Sequence, residues 1–316
     1  MKSCLFLMII CTLAAGAVSA QDTSTIFEQG LQQVQAKDCD KAIASFSEYA
    51  KRQPGEPAAP FNIGLCYYYL ERYREALPFF QKAAELKPDY LNALQYTGNT
   101  LDNLGRYNEA VAAYTKALAI DPKSAALYSE LGVAHSKQHN YEAAADAYEK
   151  CVQLDAGNAG CFAGLGRVYN AQKQYADAVR AFTKAGDLDA GNSQTQFDLG
   201  NAYYNDGKYA LAIGPYKKAI ELSPKFKTAM LYLGDAYANL HQNDLAVSSY
   251  QQAILVDPKF TAAIYGLGKV YIATKDRERS LSQIGKLETV DPARADKLRA
   301  QWQMTFPATP ATVSRP

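Results

Sequence analysis

This sequence of 316 residues has few histidine and tryptophan residues, and its positive and negative charges are nearly balanced. It has three His and one Trp, and 33 Lys and Arg against 32 Asp and Glu leave a net charge of +1. The balanced charge argues against a nucleic-acid partner and against a polybasic membrane surface. Three histidines leave little material for histidine-based acid–base catalysis.

Motifs that carry chemistry are also missing. The sequence has no phosphate-binding glycine loop, no nucleophile elbow and no Cys-x-x-Cys pair. His135 and His139 have a spacing that can hold a metal on one helix, but no acidic ligands that would complete the site are evident nearby. We therefore predict a protein that is not an enzyme, with no cofactor and no bound metal.

A long apolar run occurs only at the N-terminus. Residues 1–20 place Lys2 before an apolar stretch, Leu5–Ala15, and end in small residues, which is the layout of a secretory signal peptide. The stretch is shorter than the roughly 20 apolar residues that span a bilayer. We predict an exported protein, periplasmic or extracellular, without a membrane span, whose mature chain begins near Gln21.

Glycine recurs at intervals of 34 residues, which indicates internal repeats. These glycines are Gly30, Gly64, Gly98, Gly132, Gly166, Gly200, Gly234 and Gly268. In the first seven periods an alanine follows the glycine by twelve residues, and an aromatic residue follows the alanine by four. Numbered 1–34 from residue 23, the eight repeats place Gly at position 8, Ala at 20, the aromatic at 24 and, in six of them, Pro at 32.

Each repeat has the pattern of two amphipathic helices, because apolar positions 4, 7, 8 and 11 and then 20, 24, 27 and 30 follow helical spacing. Position 15 is Gly105, Gly207 or a polar residue, as a left-handed helix end requires. We expect the glycine at position 8 to admit a close approach of the second helix at the small Ala of position 20. Two helices cannot bury their apolar faces alone, so neighbouring repeats must stack.

This pattern resembles the tetratricopeptide repeat family over residues 23–294. The matching residues are Leu or Ile at position 7 (Ile63, Leu131, Leu165, Leu199, Leu233, Leu267), Tyr at 11 (Tyr67, Tyr169, Tyr203, Tyr237, Tyr271) and Tyr at 17 (Tyr73, Tyr107, Tyr141, Tyr175, Tyr209). The resemblance implies an all-α, right-handed superhelical α-solenoid of eight 34-residue helix-turn-helix repeats. The repeats, in the range 21–294, start at 23, 57, 91, 125, 159, 193, 227 and 261. Residues 293–304 read as a C-terminal capping helix and 305–316 as a disordered tail.

Four cysteines remain after the signal peptide is removed, and an exported protein forms disulfides readily. Antiparallel helices of neighbouring repeats bring together residues whose positions have a nearly constant sum. On that basis we predict the disulfides Cys39–Cys66 and Cys151–Cys161. Buried free thiols are the alternative, because the geometry of the bridge is demanding.

The family resemblance implies that positions 2, 5, 9, 12 and 13 of the first helices line a concave groove. The candidate partner-binding residues are Phe61, Leu65, Tyr68, Tyr69, Gln95, Asn99, Asn103, Arg167, Asn201, Tyr204, Asn205, Asp235, Asn239 and Lys269. We predict that the groove holds an extended peptide, with Asn amides on its main chain and Phe61, Tyr68 and Tyr69 anchoring an apolar side chain. A solvated polar face, self-association through the apolar patch, or its cover by the N-terminal segment are the alternatives.

The predicted function is a non-catalytic scaffold or adaptor for other proteins of the cell envelope or the exterior. No repeat pairs Lys at position 5 with Asn at position 9, so the carboxylate clamp of some family members is missing. Two other functions stay open. One is a carbohydrate- or peptidoglycan-binding module that stacks sugars on Tyr204 and Tyr265, and the other is a regulatory subunit of a separate envelope enzyme.

Overall fold

The computed structural model describes residues 18–307, and side chains from Thr23 onward. Over that range the chain forms 17 α-helices and no strand, which confirms the predicted all-α class. The helices are α1 Val18–Gln35, α2 Cys39–Arg52, α3 Ala58–Tyr69, α4 Tyr73–Leu86, α5 Leu91–Asn103, α6 Tyr107–Ile120, α7 Ala125–Lys137, α8 Tyr141–Leu154, α9 Ala159–Ala171, α10 Tyr175–Leu188, α11 Ser193–Asn205, α12 Tyr209–Leu222, α13 Lys227–Asn239, α14 Asn243–Val256, α15 Thr261–Ala273, α16 Arg277–Val290 and α17 Pro292–Thr305. Most of the predicted signal peptide and of the predicted tail lies outside the described residues.

The chain divides into two compact units, residues 1–156 and 157–316. Helices α1–α8 belong to the N-terminal unit and form repeats 1–4, whereas α9–α16 form repeats 5–8 of the C-terminal unit. Within each unit, every odd-numbered first helix packs against the even-numbered second helix that follows it. Each second helix also packs against the first helix of the next repeat in its unit. Stacking of hairpins therefore builds both cores.

The turn inside each hairpin is a left-handed helix end at position 15, as the sequence predicts. Gly105 and Gly207 have φ of 73° and 72°, and six other residues adopt φ between 57° and 63° there. Those six are Lys37, Glu71, His139, Lys173, His241 and Lys275. Positive φ is the conformation of a Schellman-type helix end, and a polar residue tolerates it at a cost that glycine avoids. His139 and His241 therefore stand at turns.

The glycine at position 8 makes room for the aromatic ring at position 24 of its own repeat. A Cβ added to any of the seven glycines from Gly30 to Gly234 would lie 2.4 to 2.9 Å from the nearest atom of that ring. The predicted close approach of the second helix thus depends on the ring as well, because the ring reaches across the hairpin and covers the glycine. The alanines at position 20 are fully buried beside it.

Repeat 8 lacks the aromatic residue, and α17 supplies the missing side chain. A Cβ on Gly268 would meet Leu298 Cδ2 at 2.4 Å. Ile284, which stands at position 24 of repeat 8, packs with Leu298 and Trp302 in one apolar cluster. The helix α17 thus covers repeat 8, in the place where the sequence predicts a capping helix.

The four cysteines differ in state. Cys39 and Cys66 are buried free thiols, so the prediction of a Cys39–Cys66 disulfide is wrong. The two residues nevertheless meet between α2 and α3, where burial raises the pKa of the Cys66 thiol and a hydrogen bond links it to Cys39. A buried thiol behaves as a small apolar group and needs no bridge to pack. Cys151 and Cys161 are each disulfide-bonded.

None of the helices between residues 18 and 307 is both apolar and long enough to cross a membrane. This finding concerns only the part of the chain that the structure describes.

Gly207→Ala and Gly285→Ala should change stability in opposite directions. A methyl group would meet no atom within 4 Å at either site, so only the backbone conformation differs. Gly207 has a positive φ, and alanine there should lower the free energy of unfolding by about 1 kcal/mol. Gly285 lies inside α16, where alanine should raise it by about 0.5–1 kcal/mol.

Both glycines belong to the C-terminal unit, so urea denaturation followed by circular dichroism compares the same transition. Shifts of equal sign in the two variants would contradict the assignment of position 15 as the strained turn.

Candidate binding surfaces on the first helices

Position 9 of the first helix accepts a hydrogen bond from the tyrosine at position 24 of the same repeat. The pairs are Tyr114 OH to Asn99 Oδ1 at 2.7 Å, Tyr216 OH to Asn201 Oδ1 at 2.9 Å and Tyr250 OH to Asp235 Oδ1 at 2.6 Å. A buried hydroxyl needs such an acceptor. Where position 24 is phenylalanine, position 9 is Leu31, Leu65 or Arg167, and repeat 4 departs from the rule with Val133 beside Tyr148.

This pairing changes the interpretation of three residues that were predicted to bind a peptide. Asn99, Asn201 and Asp235 were expected to offer their polar groups to a peptide main chain. In the structure one oxygen of each is already engaged by a tyrosine hydroxyl. These residues therefore hold the core ring in place, and only their remaining polar atoms could contact a peptide.

In repeats 3, 4, 6 and 7 the side chain at position 13 of the first helix bonds to the preceding repeat. The bonds run from Asn103 Nδ2 to Tyr68 OH at 3.3 Å, Lys137 Nζ to Asp102 Oδ2 at 2.5 Å, Asn205 Nδ2 to Asn170 Oδ1 at 3.1 Å and Asn239 Nδ2 to Tyr204 OH at 3.1 Å. Each connects position 13 to position 12 of the preceding repeat. The amides of Asn103, Asn205 and Asn239 thus hold adjacent first helices together, and a bound peptide would have to compete with these bonds.

The predicted apolar patch in the N-terminal unit is built differently from the expectation. Phe61 is only 3% exposed, so it is a core residue and the prediction that it anchors a ligand is wrong. The rings of Tyr90 and Tyr96, whose centroids lie 5.0 and 5.8 Å from that of Phe61, cover it. Tyr90 is the last residue of repeat 2 and Tyr96 lies at position 6 of repeat 3, so both rings come from outside the helix that carries Phe61.

Tyr68, Tyr69 and Tyr96 form the part of this patch that reaches the surface. Tyr68 meets Tyr69 at 84° and Tyr96 at 89°, and the hydroxyls of Tyr69 and Tyr96 lie 3.4 Å apart. Tyr69 is 38% exposed, and Leu65 is half-buried beneath the cluster. Sequence reasoning missed Tyr96 because position 6 is outside the groove positions that the family pattern implies.

Position 6 also carries Glu130, which the sequence analysis did not single out. Gln95 Nε2 donates to both carboxylate oxygens of Glu130, at 3.0 and 3.2 Å, and Asn99 Nδ2 lies 3.4 Å from Oε1. Burial raises the pKa of Glu130, and the charge of Asp102 raises it further. Among the described residues no cation lies within 4 Å of this carboxylate. Gln95 and Asn99, both predicted site residues, are therefore brought together by an acid that the prediction overlooked.

Repeat 6 has an acid at the same position with different neighbours. Arg167 Nη1 pairs with Asp198 Oδ2 at 3.2 Å, and Gln194 Nε2 donates to Oδ1 at 2.8 Å. Burial raises the pKa of Asp198, whereas Arg167 and Gln194 lower it. Arg167 was predicted to face a partner, but its guanidinium already has this carboxylate.

An open cavity of about 750 Å³ lies on the first-helix side of repeats 6–8. Its lining includes Tyr204, Asp235, Asn239, Tyr265, Lys269 and Arg294. Four of these are predicted site residues, and Arg294 comes from α17.

The cavity carries more positive than negative groups. Burial raises the pKa of Asp235, while the hydrogen bond from Tyr250 and the charge of Lys269 lower it. The Lys269 ammonium lies 6.0 Å from the centroid of the Tyr265 ring and has no ion pair among the described residues. Arg294 lies 3.5 Å from Asp291. A polar chain with acceptor groups can therefore bind here.

The histidine pair does not form a metal site in the described part of the chain. His135 Nδ1 lies 3.2 Å from Gln138 Oε1, and His139 Nδ1 lies 3.0 Å from the hydroxyl of Tyr141. No group of three His, Cys, Asp or Glu side chains between residues 18 and 307 could hold a metal ion.

The repeats match known sequence families. Family models described as tetratricopeptide repeat match residues 61–90, 125–158 and 231–289, and one described as TPR repeat matches 98–139 and 200–241. The chain therefore belongs to the tetratricopeptide repeat (TPR) family. Among curated protein sequences, none matches it significantly.

Solved structures resemble the fold closely. One, YrrB, is described as a TPR protein with an unusual peptide-binding site; it is 26% identical with a TM-score of 0.52, over 60% of this chain and 98% of that one. The C-terminal part of a TPR protein from Cytophaga hutchinsonii is 22% identical with a TM-score of 0.65, over 76% and 99%. A TPR protein from Parabacteroides merdae is 17% identical with a TM-score of 0.60, over 79% and 98%. The last two comparisons support the fold alone.

Glu130→Gln tests the electrostatic cost of the carboxylate in the N-terminal unit. The pKa of Glu130 is higher in the folded chain than the roughly 4.3 of an unfolded Glu. At a pH between the unfolded and the folded pKa, the folded state therefore binds more protons than the unfolded state. The wild-type protein should therefore lose stability relative to the variant as the pH rises through that interval. We expect the melting temperature of the variant to rise relative to that of the wild type between pH 4 and pH 7.

Circular dichroism melts at several pH values measure this difference directly. Glu142→Gln, on the exposed surface of α8, removes the same charge without burial and should show no such trend. A difference for Glu130→Gln that is independent of pH would contradict the assignment.

Proposed function

We propose that this protein is a non-catalytic scaffold that binds an extended segment of a partner protein on the faces of its first helices. The cavity of repeats 6–8 carries this proposal, because Tyr204, Asp235, Asn239 and Lys269 from three successive first helices line one space. Membership of the TPR family supports a role in protein–protein interaction. Likeness to YrrB, which is described as having a peptide-binding site, supports a peptide as the ligand.

The chemistry of the cavity suits a peptide better than a purely apolar ligand. Its volume of about 750 Å³ lies in the range of sites that enclose several ligand side chains. The Lys269 ammonium, which has no ion pair among the described residues, can donate to carbonyl or carboxylate oxygens of the bound segment. The ring of Tyr265, half-buried at the same wall, offers an apolar surface for a side chain.

A carbohydrate is the second candidate ligand, because Tyr204 and Tyr265 both line the cavity. Sugars stack on open aromatic faces. The Tyr204 ring is engaged by Tyr209 at 5.0 Å and Tyr232 at 5.8 Å, and its hydroxyl by Asn239. Tyr204 is therefore a poor stacking surface, and Tyr265 alone would have to hold a sugar ring. For this reason a peptide is the preferred ligand.

Lys269→Glu should weaken the binding of peptides to this cavity. Peptides selected from a random 12-residue display library on the full chain provide the ligands, and fluorescence anisotropy measures their dissociation constants. Reversal of the only unpaired ammonium in the lining replaces attraction by repulsion, so peptides that occupy the cavity should bind about tenfold or more weakly.

Lys286→Glu is the matched control, because Lys286 is exposed on α16 and outside the cavity lining. It makes the same change of charge and should leave affinity within about twofold. If the library yields no specific peptide, peptide binding is wrong. A glycan-array signal that Lys269→Glu abolishes, without any peptide, would favour the carbohydrate.

We also propose that the chain is exported. The support is the pattern of residues 1–20, with Lys2, the apolar stretch and small residues at the end. Intact-mass measurement of the protein from culture medium or periplasm should find a chain that begins at or near Gln21. An unprocessed chain confined to the cytoplasm would refute export.

A further inference from the structure

Two acidic side chains on the first helices occupy equivalent positions but have different partners. Position 6 is an acid in repeats 4 and 6, and in both repeats burial raises the pKa of the carboxyl group. The two acids, Glu130 and Asp198, each accept hydrogen bonds from a glutamine amide. They differ in the residue at position 9 of the preceding first helix.

In the C-terminal unit that residue is a cation. Arg167 stands at position 9 of repeat 5, and its Nη1 lies 3.2 Å from Asp198 Oδ2. Position 24 of repeat 5 is Phe182, which has no hydroxyl group. The residue at position 9 therefore does not have to accept a hydrogen bond from the core. The chain thus supplies its own guanidinium to this carboxylate.

In the N-terminal unit the corresponding residue is neutral. Asn99 stands at position 9 of repeat 3, and its Oδ1 is held at 2.7 Å by the hydroxyl of Tyr114. Only amides reach Glu130, and no Lys, Arg or His of the described residues lies within 4 Å of it. Burying a carboxylate without a cation is unfavourable, so a cation from outside would gain more here than at an open surface.

Two further observations point to a cationic ligand at the same place. Asp102 pairs with Lys137 through Oδ2, but its buried Oδ1 has no hydrogen-bond partner among the described residues, and the charge of Asp102 acts on Glu130. Burial raises the pKa values of Tyr68 and Tyr96, and the charge of Glu130 adds a smaller increase; Tyr69 is partly exposed beside them. Aromatic rings favour a guanidinium or ammonium group across their faces.

We propose that Glu130 accepts the guanidinium group of an arginine side chain that a partner segment inserts beside Tyr68, Tyr69 and Tyr96. The ion pair Arg167–Asp198 shows within the same chain the arrangement that the arginine would complete. A guanidinium has two N–H groups in the geometry of a carboxylate, and it also stacks on aromatic rings. The inference rests on the proposed function, because it requires a partner segment on the first-helix faces.

The test uses the peptides selected on the full chain from the random 12-residue library. A group of them should share an arginine, and their affinity should fall about tenfold or more when that arginine becomes glutamine. Glu130→Gln should weaken the same peptides to a similar extent. Glu142→Gln, which removes an exposed acid of the same unit, should leave affinity within about twofold.

The double variant Asn99→Arg/Tyr114→Phe gives a second test that does not depend on removing the acid. It copies Arg167 and Phe182 of repeat 5 into repeat 3, so that the chain itself offers a guanidinium to Glu130. We expect the variant to be folded, with a melting temperature no lower than that of the wild type. Arginine-containing peptides should then bind at least about tenfold more weakly, because the carboxylate is occupied.

The outcomes separate this inference from the proposed function. Peptides that depend on Lys269 but none that depends on Glu130 would overturn the arginine site and leave the scaffold function intact. Unchanged binding of arginine peptides to Glu130→Gln, or to a folded double variant, would likewise overturn it. A library without any specific binder would refute both proposals together.

Discussion

The packing of an aromatic ring over a glycine is the contact on which the rest of the molecule depends. In each of the first seven repeats the ring at position 24 lies where a Cβ on the glycine at position 8 would have to be, with nearest distances of 2.4 to 2.9 Å. This contact fixes how closely the two helices of a hairpin approach. Interiors are close-packed, so a change at either position would shift the helices that stack on the hairpin. Repeat 8 keeps the contact with Leu298 of α17.

Whether position 24 is tyrosine or phenylalanine also determines which polar groups at position 9 remain available at the surface. A tyrosine at position 24 brings a buried hydroxyl, which Asn99, Asn201 or Asp235 accepts from position 9. Phenylalanine leaves position 9 for other uses, and in repeat 5 that use is the ion pair of Arg167 with Asp198. The polar residues that line the first helices therefore serve the core and the surface together, which explains why so few of them are unbonded.

How far the sequence predicts this protein differs between fold and site. The period of 34 residues, the two helices per repeat and the left-handed turn at position 15 follow from spacing and residue type, because these are local constraints. The site follows less well. Phe61 was expected at the surface and is buried, since Tyr90 at the end of repeat 2 and Tyr96 of repeat 3 cover it. Cys39 and Cys66 were correctly placed as neighbours, but they are thiols and not a disulfide.

Sequence alone determined the register, since residues repeated every 34 positions occupy equivalent places in successive hairpins. Tertiary structure decided which polar groups have partners. Glu130 and Asp198 occupy the same position and have the same chemistry, yet only Asp198 meets a cation. That difference arises from side chains about 31 residues away in the chain that become neighbours only when the helices stack. Long-range contacts of this kind leave no periodic signal, because each one involves a residue that the repeat pattern does not constrain.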